Sequence, residues 1–227
     1  MKMKLKKVSQ NLFKILLVAC VMTGCQEKAD KAKTSEAEAA AVSESTSLEY
    51  VVNVSESQID WKGFKPTGTH TGTINIENGE LTVDDGKLQS GTFVIDMTSI
   101  KVTDLEGDQK MNLEAHLKGT VEGKEGDFFN VNKFPEATFE VTSTESIAAG
   151  KTTLSGNLSM KGKEQNITFP VTITNENDMM TIESEPFTID RTQWNINYGS
   201  KSVFDDLGDK FINDDMELKI LVKASKA

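Results

Sequence analysis

The chain has 227 residues, 37% of them hydrophobic, and carries 25 lysines and arginines against 35 aspartates and glutamates, a formal net charge of −10. That balance argues against nucleic acid and anionic membrane surfaces as charge-driven partners. With only two cysteines, a disulfide framework or a cysteine-rich metal scaffold is excluded.

The first 24 residues read as a signal peptide. Lys2, Lys4, Lys6, Lys7 and Lys14 precede a short apolar run, Ile15 to Met22, which is too short to span a bilayer. The run ends in Met22-Thr23-Gly24-Cys25, which resembles a bacterial lipobox, whose cysteine is acylated and becomes the new N-terminus. Leu17-Val18-Ala19-Cys20 is a competing match, but polar sequence starts directly after Cys25, whereas Cys20 lies inside the apolar run. Both cysteines fall here, so the mature chain has no thiol beyond the acylated Cys25, and its membrane association is by lipid rather than by a span. Two or three acyl chains, each buried methylene contributing about 0.8 kcal/mol, anchor durably. Removal of the signal leaves 20 cations against 35 acids. The expected location is the bacterial cell envelope, facing the periplasm or the cell surface.

Residues 25 to 47 are, after Cys25 and Gln26, Glu, Lys, Ala, Ser and Thr with a single aspartate, Asp30, and with Val42 as the only sizeable apolar side chain. Nothing there can offset the entropy of ordering in a core, so the segment is expected to be a flexible tether.

Residues 48 to 227 form one domain dominated by period-two alternation. Ile167, Phe169, Val171 and Ile173 alternate with Thr168, Pro170, Thr172 and Thr174, and Ala137, Phe139 and Val141 alternate with Thr138 and Glu140. Similar pairs recur at Tyr50/Val52, Ile59/Trp61, Ile74/Ile76, Phe93/Ile95, Leu154/Leu158, Met180/Ile182 and Leu218/Ile220. Turns are expected at Glu77-Asn78-Gly79, Asp84-Asp85-Gly86, Ala149-Gly150 and Asn175-Glu176-Asn177. One helix is predicted over Asp108–Leu117, where Met111/Ala115 and Leu113/Leu117 fall at helical spacing. The fold class is therefore all-β, an antiparallel barrel of about eight strands with one short helix. Closure removes edge strands, and about eight strands is the size that holds one small ligand. A sandwich fits the same periodicity.

The stretch Phe187 to Lys201 holds Arg191, the only arginine of the chain, together with Trp194 and Tyr198. A chain using lysine for every other cation needs the guanidinium's rigid fork here. Two uses present themselves: an ion pair tying this corner to Asp190, Asp214 or Asp215, or an anion clamp for a ligand head group.

Several ordered segments carry a family resemblance: Gly91–Ile100 (GTFVIDMTSI), Leu113–Gly119 (LEAHLKG), Asp127–Val141 (DFFNVNKFPEATFEV), Leu154–Val171 (LSGNLSMKGKEQNITFPV) and Phe187–Arg191 (FTIDR). Together they resemble the YceI-like family of lipocalin-like barrels that bind polyisoprenoid lipids. Two departures are a longer segment at Gly119 to Gly126 and Asn195 after the arginine motif. The resemblance implies an isoprenoid or similar apolar lipid as partner, held in a cavity for which Trp61, Phe93, Phe128, Phe129, Phe139 and Phe169 are the expected lining. Arg191 and His116 are the expected polar residues, serving either a head group or the structure. A homodimer sharing a long tail between two barrels is compatible with it. The alternative is a barrel with a filled core that works through its outer loops on an envelope partner, since inward aromatics look the same in either case.

No catalytic residue, metal site or cofactor is expected. His70 and His116 are the only histidines, and no GxSxG, HExxH or EF-hand spacing accompanies them. The run Asn213, Asp214, Asp215, Glu217 reads as a solvated loop that partners Arg191.

Overall fold

The structure, a computed structural model, describes residues 29–227 apart from 45 and 149. The signal peptide and Cys25 lie outside the described residues. In chain order the elements are β1 (Asp30–Lys31), β2 (Lys33–Ser35), β3 (Leu48–Val52), β4 (Gln58–Lys65), β5 (Gly68–Asp84), β6 (Lys87–Val102), α1 (Gly107–Lys118), β7 (Glu136–Ala148), β8 (Lys151–Met160), β9 (Lys163–Glu176), β10 (Met179–Ser184), β11 (Phe187–Asp190) and β12 (Asp215–Lys226).

An antiparallel meander from β5 to β10, interrupted between β6 and β7 by α1 and its loop, is closed by β12. Ile182 of β10 pairs with Val222 on one side of that strand, while Ala224 pairs with Val52 of β3 and Ile220 with Ile59 of β4 on the other. The sheet thus closes into an antiparallel ring of eight strands, with β3 and β4 sharing one position beside β5. This settles the choice between barrel and sandwich, because a sandwich would leave edges at β3 and β12.

The tight turns follow from residues that tolerate a left-handed backbone. Asp85 and Gly86 have φ of 45° and 72°, and Asn177 and Asp178 have 53° and 60°, the paired positive values of a two-residue hairpin. The second turn lies further along the chain than expected: Asn175 and Glu176 remain in β9. The expected turn at residues 77–79 is instead a bulge inside β5, where the register slips between Ile76 and Asn78. Gly79 is needed there because a Cβ would lie 2.7 Å from Val52 Cγ2. Local turn chemistry could not distinguish the two, since a bulge needs the same residues. Helix α1 ends at Lys118, one residue beyond the predicted helix, and is capped by Gly119 (φ 69°), whose N–H meets the carbonyls of Ala115 and His116.

Inside the barrel, one half is packed. Phe93, Phe139, Phe169 and Phe187 run across β6, β7, β9 and β11, with centroid separations of 6.2, 5.9 and 4.2 Å, the last pair stacked. Beyond this row, Tyr50, Leu81, Val141, Met180, Ile182 and Val222 fill the interior toward the β5–β6, β7–β8 and β9–β10 turns. Gly156 on β8 makes the row fit, because a Cβ there would sit 2.3 Å from Phe139 Cζ and 2.7 Å from the Glu140 carbonyl. Gly156→Ala is expected to destabilise the domain by about 1–3 kcal/mol through overpacking. A urea titration showing an unchanged midpoint would contradict that packing.

The tether expectation needs correction. Residues 30–41 lie on the barrel wall. β10 and β9 pair as far as Ser184 and Val171, after which β11 and β9 part. The N-terminal segment takes up the two strand edges so exposed. Asp30 and Lys31 run parallel to Phe187 and Thr188, and Lys33 to Ser35 run antiparallel to Thr168 to Asn166. Asn157 then brackets Glu38, its Oδ1 accepting the Glu38 N–H at 3.0 Å and its Nδ2 donating to the Glu38 carbonyl at 2.7 Å. The Ala41 N–H donates to the Val141 carbonyl at 2.9 Å. Ordering here comes from backbone pairing with only Ala32 buried, which a criterion based on apolar content does not detect.

Candidate functional site

The other half of the barrel is hollow. A cavity of about 320 Å³ lies there, at the lower end of the roughly 300–1,000 Å³ usual for small-molecule sites. Its walls come from alternate strand residues: Ile59 and Trp61 of β4, Ile95 and Met97 of β6, Leu158 and Met160 of β8, and Met216 and Leu218 of β12. The mouth is built by the β4–β5 hairpin (Phe64, Lys65, His70), by α1 (Leu113, His116, Leu117) and by the loop from Asn195 to Asp214 (Tyr198, Lys210, Ile212).

Of the six aromatics expected in the lining, Trp61, Phe128 and Phe129 are there. Phe93, Phe139 and Phe169 are not; they belong to the packed row that bounds the hollow half. Alternation identifies the face of a strand that points inward but not the depth at which the interior stops being filled. Sequence reasoning passed over Met97, Met160 and Met216. Three unbranched thioethers, on β6, β8 and β12, spread around the ring and form a lining that adapts to ligand shape, and their inward register was the signal available. Trp61 lies over Gly72, where a Cβ would be 2.5 Å from the indole ring. Its buried Nε1 has no hydrogen-bond partner among the described residues.

Arg191 is 4% exposed. Its Nε donates to the Asn213 carbonyl at 3.0 Å, Nη1 to the Ile196 carbonyl at 2.5 Å and Nη2 to the Ile212 carbonyl at 3.1 Å. Asp214 Oδ1 stands 3.7 Å from Nη2, an ion-pair distance rather than a hydrogen bond. Burial pushes the guanidinium pKa down, Asp214 and Asp190 oppose it, and the group stays charged. The fork is thus occupied by the two ends of the mouth loop, with Asp190 capping the 3-10 turn Arg191–Trp194 through the Thr192 N–H at 3.0 Å. The Trp194 indole donates to the Leu158 carbonyl at 2.8 Å and fixes this turn to β8.

His116 lines the mouth. Its Nε2–H donates to Asp127 Oδ2 at 2.7 Å, and its ring meets Phe128 and Tyr198 edge-on at 5.0 and 4.9 Å. His70, on the opposite lip, donates from Nδ1 to Asp104 Oδ2 at 2.9 Å, and the Thr71 N–H donates to Asp104 Oδ1 at 2.9 Å. Burial opposes ionisation of Asp104, but the Thr71 and His70 bonds outweigh it and hold its pKa below the ordinary carboxylate value. Lys161 is held below its ordinary value by burial, although Asp127 counters this, and it donates to the carbonyls of Gly126 and Asn195 at 2.8 and 3.2 Å. That lysine joins the segment after α1 to the mouth loop. Among the described residues no group of three His, Cys, Asp or Glu side chains is arranged to hold a metal ion, and no helix is long and apolar enough to cross a membrane.

Residues 50–224 match the YceI-like domain. The chain belongs to the YceI-like family. Among solved structures, the YceI-like domain here resembles Burkholderia cenocepacia BcnA, with a TM-score of 0.59 and 23% identity over 77% of this chain and 99% of that one. It also resembles a polyisoprenoid binding domain from Saccharophagus degradans implicated in plant cell wall breakdown, with a TM-score of 0.58 and 13% identity over 79% and 99% of the two chains. At these identities the likeness is one of fold. None of the curated proteins matches the sequence. A YceI-like barrel with a blind apolar cavity at one end can enclose a hydrocarbon and leave a polar head at the lip.

Proposed function

We propose that this protein is a lipid-anchored, extracytoplasmic barrel that binds a long-chain isoprenoid, of the polyprenol or quinone kind, or a similar amphiphile, and acts as its carrier, store or sensor without chemistry of its own. The observation that carries the reading is the cavity. It is walled by isoleucine, leucine and methionine and opens at a lip where His70, His116 and Lys210 stand, and the Phe93–Phe139 pair lies two residues beyond the wall pair Ile95–Ala137 on the same strands. Each isoprene unit enclosed there contributes about 3–4 kcal/mol gross, at about 0.8 kcal/mol per methylene, before ordering costs. A few units therefore suffice for useful affinity. The polyisoprenoid ligand of the Saccharophagus degradans relative agrees in chemistry with this wall. Anchoring rests on the lysine-rich start, the apolar run and Cys25 in its lipobox-like setting.

Native mass spectrometry of residues 26–227, followed by solvent extraction, tests the binding. The segment from residue 30 is retained because it pairs with the wall. Co-purifying isoprenoid, or uptake of added polyprenol or quinone, is the expected result. A bare domain that refuses both would overturn the reading.

A further inference from the structure

We infer that the open end of the barrel, not its closed end, lies against the membrane that carries the anchor, so that the cavity exchanges its ligand with that same bilayer surface. The inference rests on the lipoprotein reading above. Its source is the docked N-terminal segment. Ala29 and Lys31 border a hollow on the outer wall together with Lys62, Phe64 and Asp215, all three of which also line the cavity. Lys31 Nζ donates to Asp215 at 2.6 Å, which holds the segment there.

Four peptide steps separate Cys25 from Ala29, so the acylated residue stands no more than about 14 Å from that point on the wall. Asp30 is level with Phe187 and hence with Leu218 on β12. The closed end lies seven residues further along β12, where Ser225 pairs with Met179 beside the β9–β10 turn, a distance of about 23 Å along the strand and about 18 Å along the barrel axis at the usual strand tilt of about 40°. The leash is too short for the barrel to stand on that end. Toward the open end, β11 stops at Asp190 and β12 starts at Asp215, only three residues from Phe187 and Leu218 and about 10 Å away, and the mouth loop stands on those two strand ends.

The open end also presents apolar side chains to solvent. Tyr198, Val203 and Phe204 of the mouth loop are 41%, 47% and 49% exposed, and Met111 of α1 is 59% exposed. Tyr198 borders the cavity entrance and Val203 and Phe204 follow on the same loop; Leu48 and Ile147 toward the closed end are exposed to a similar degree, so the length of the leash, and not apolar exposure, selects the end. Lys201 and Lys210 share the loop with Asp205, Asp206 and Asp209, so contact with a bilayer would be by apolar insertion and not by attraction to anionic lipid. A protein held in this way serves its own membrane and does not shuttle across the envelope.

The test uses the full chain, acylated in a bacterial host, purified from membranes and reconstituted in phosphatidylcholine vesicles. Phe204→Cys places a thiol at the open end and Glu176→Cys one beside the closed-end turn; acylation blocks Cys25, so each variant takes a single environment-sensitive fluorophore. Nitroxide-bearing lipid is expected to quench the Phe204→Cys probe several-fold more than the Glu176→Cys probe. Equal or reversed quenching on protein that floats with the vesicles would overturn the orientation alone, since the readout needs no ligand. Protein that does not float at all would defeat the lipoprotein reading and this inference with it.

Discussion

Ala137→Phe is expected to weaken isoprenoid binding by roughly 10²- to 10³-fold while the barrel still folds. Ala137 is 4% exposed, pairs with Ile95 across β6 and β7, and contributes the smallest side chain of the cavity wall apart from Gly63. A phenyl ring at this position points into a space of about 320 Å³ and displaces hydrocarbon from it. Loss of one enclosed isoprene unit removes about 3–4 kcal/mol, equivalent to a roughly 10²- to 10³-fold rise in Kd. Because the ring enters a void and not packed core, the thermal midpoint is expected to hold or to rise. Retention of ligand at unchanged affinity, measured by the same extraction and mass spectrometry, would show that the cavity is not the binding site. A collapse in stability would show that the wall has no room at this position.

Arg191→Met is expected to cost about 3–5 kcal/mol, the scale for removing one partner of a buried charged network. The substitution leaves the carbonyls of Asn213, Ile196 and Ile212 without their donor, and Asp214 without its neighbouring cation. For a domain of this size, each kcal/mol lowers the thermal midpoint by about 2–4 °C, so calorimetry resolves the change. Arg191→Lys is expected to recover only part of the loss, because one ammonium cannot serve three carbonyls fixed by a planar fork. Ligand retention falls in parallel, since Tyr198 and Ile212, which border the cavity, stand on the loop that Arg191 closes. A variant as stable as the parent would mean that the loop is held by Trp194 and Lys161 alone.

Much of this architecture is legible in residue order. Period two marked the inward faces of the strands, Asp85-Gly86 a hairpin, and Leu113/Leu117 the helix, because each depends on neighbours within a few positions. The single arginine marked the corner where the mouth loop is held, since its fork geometry has no substitute elsewhere in the chain. Three features were decided only by the folded molecule. The division of the barrel into a packed half and a hollow half depends on rings from β6, β7, β9 and β11 meeting at one depth, and so Phe93, Phe139 and Phe169 became core while three methionines became wall. The carbonyl partners of Arg191 were invisible because every residue offers a carbonyl. The placement of residues 30–41 depends on strand edges that exist only after β9 and β11 part, and backbone pairing leaves no mark in side-chain composition. Sequence determined which residues face inward; the closing of the ring determined how far the interior is filled and where the N-terminal segment could attach.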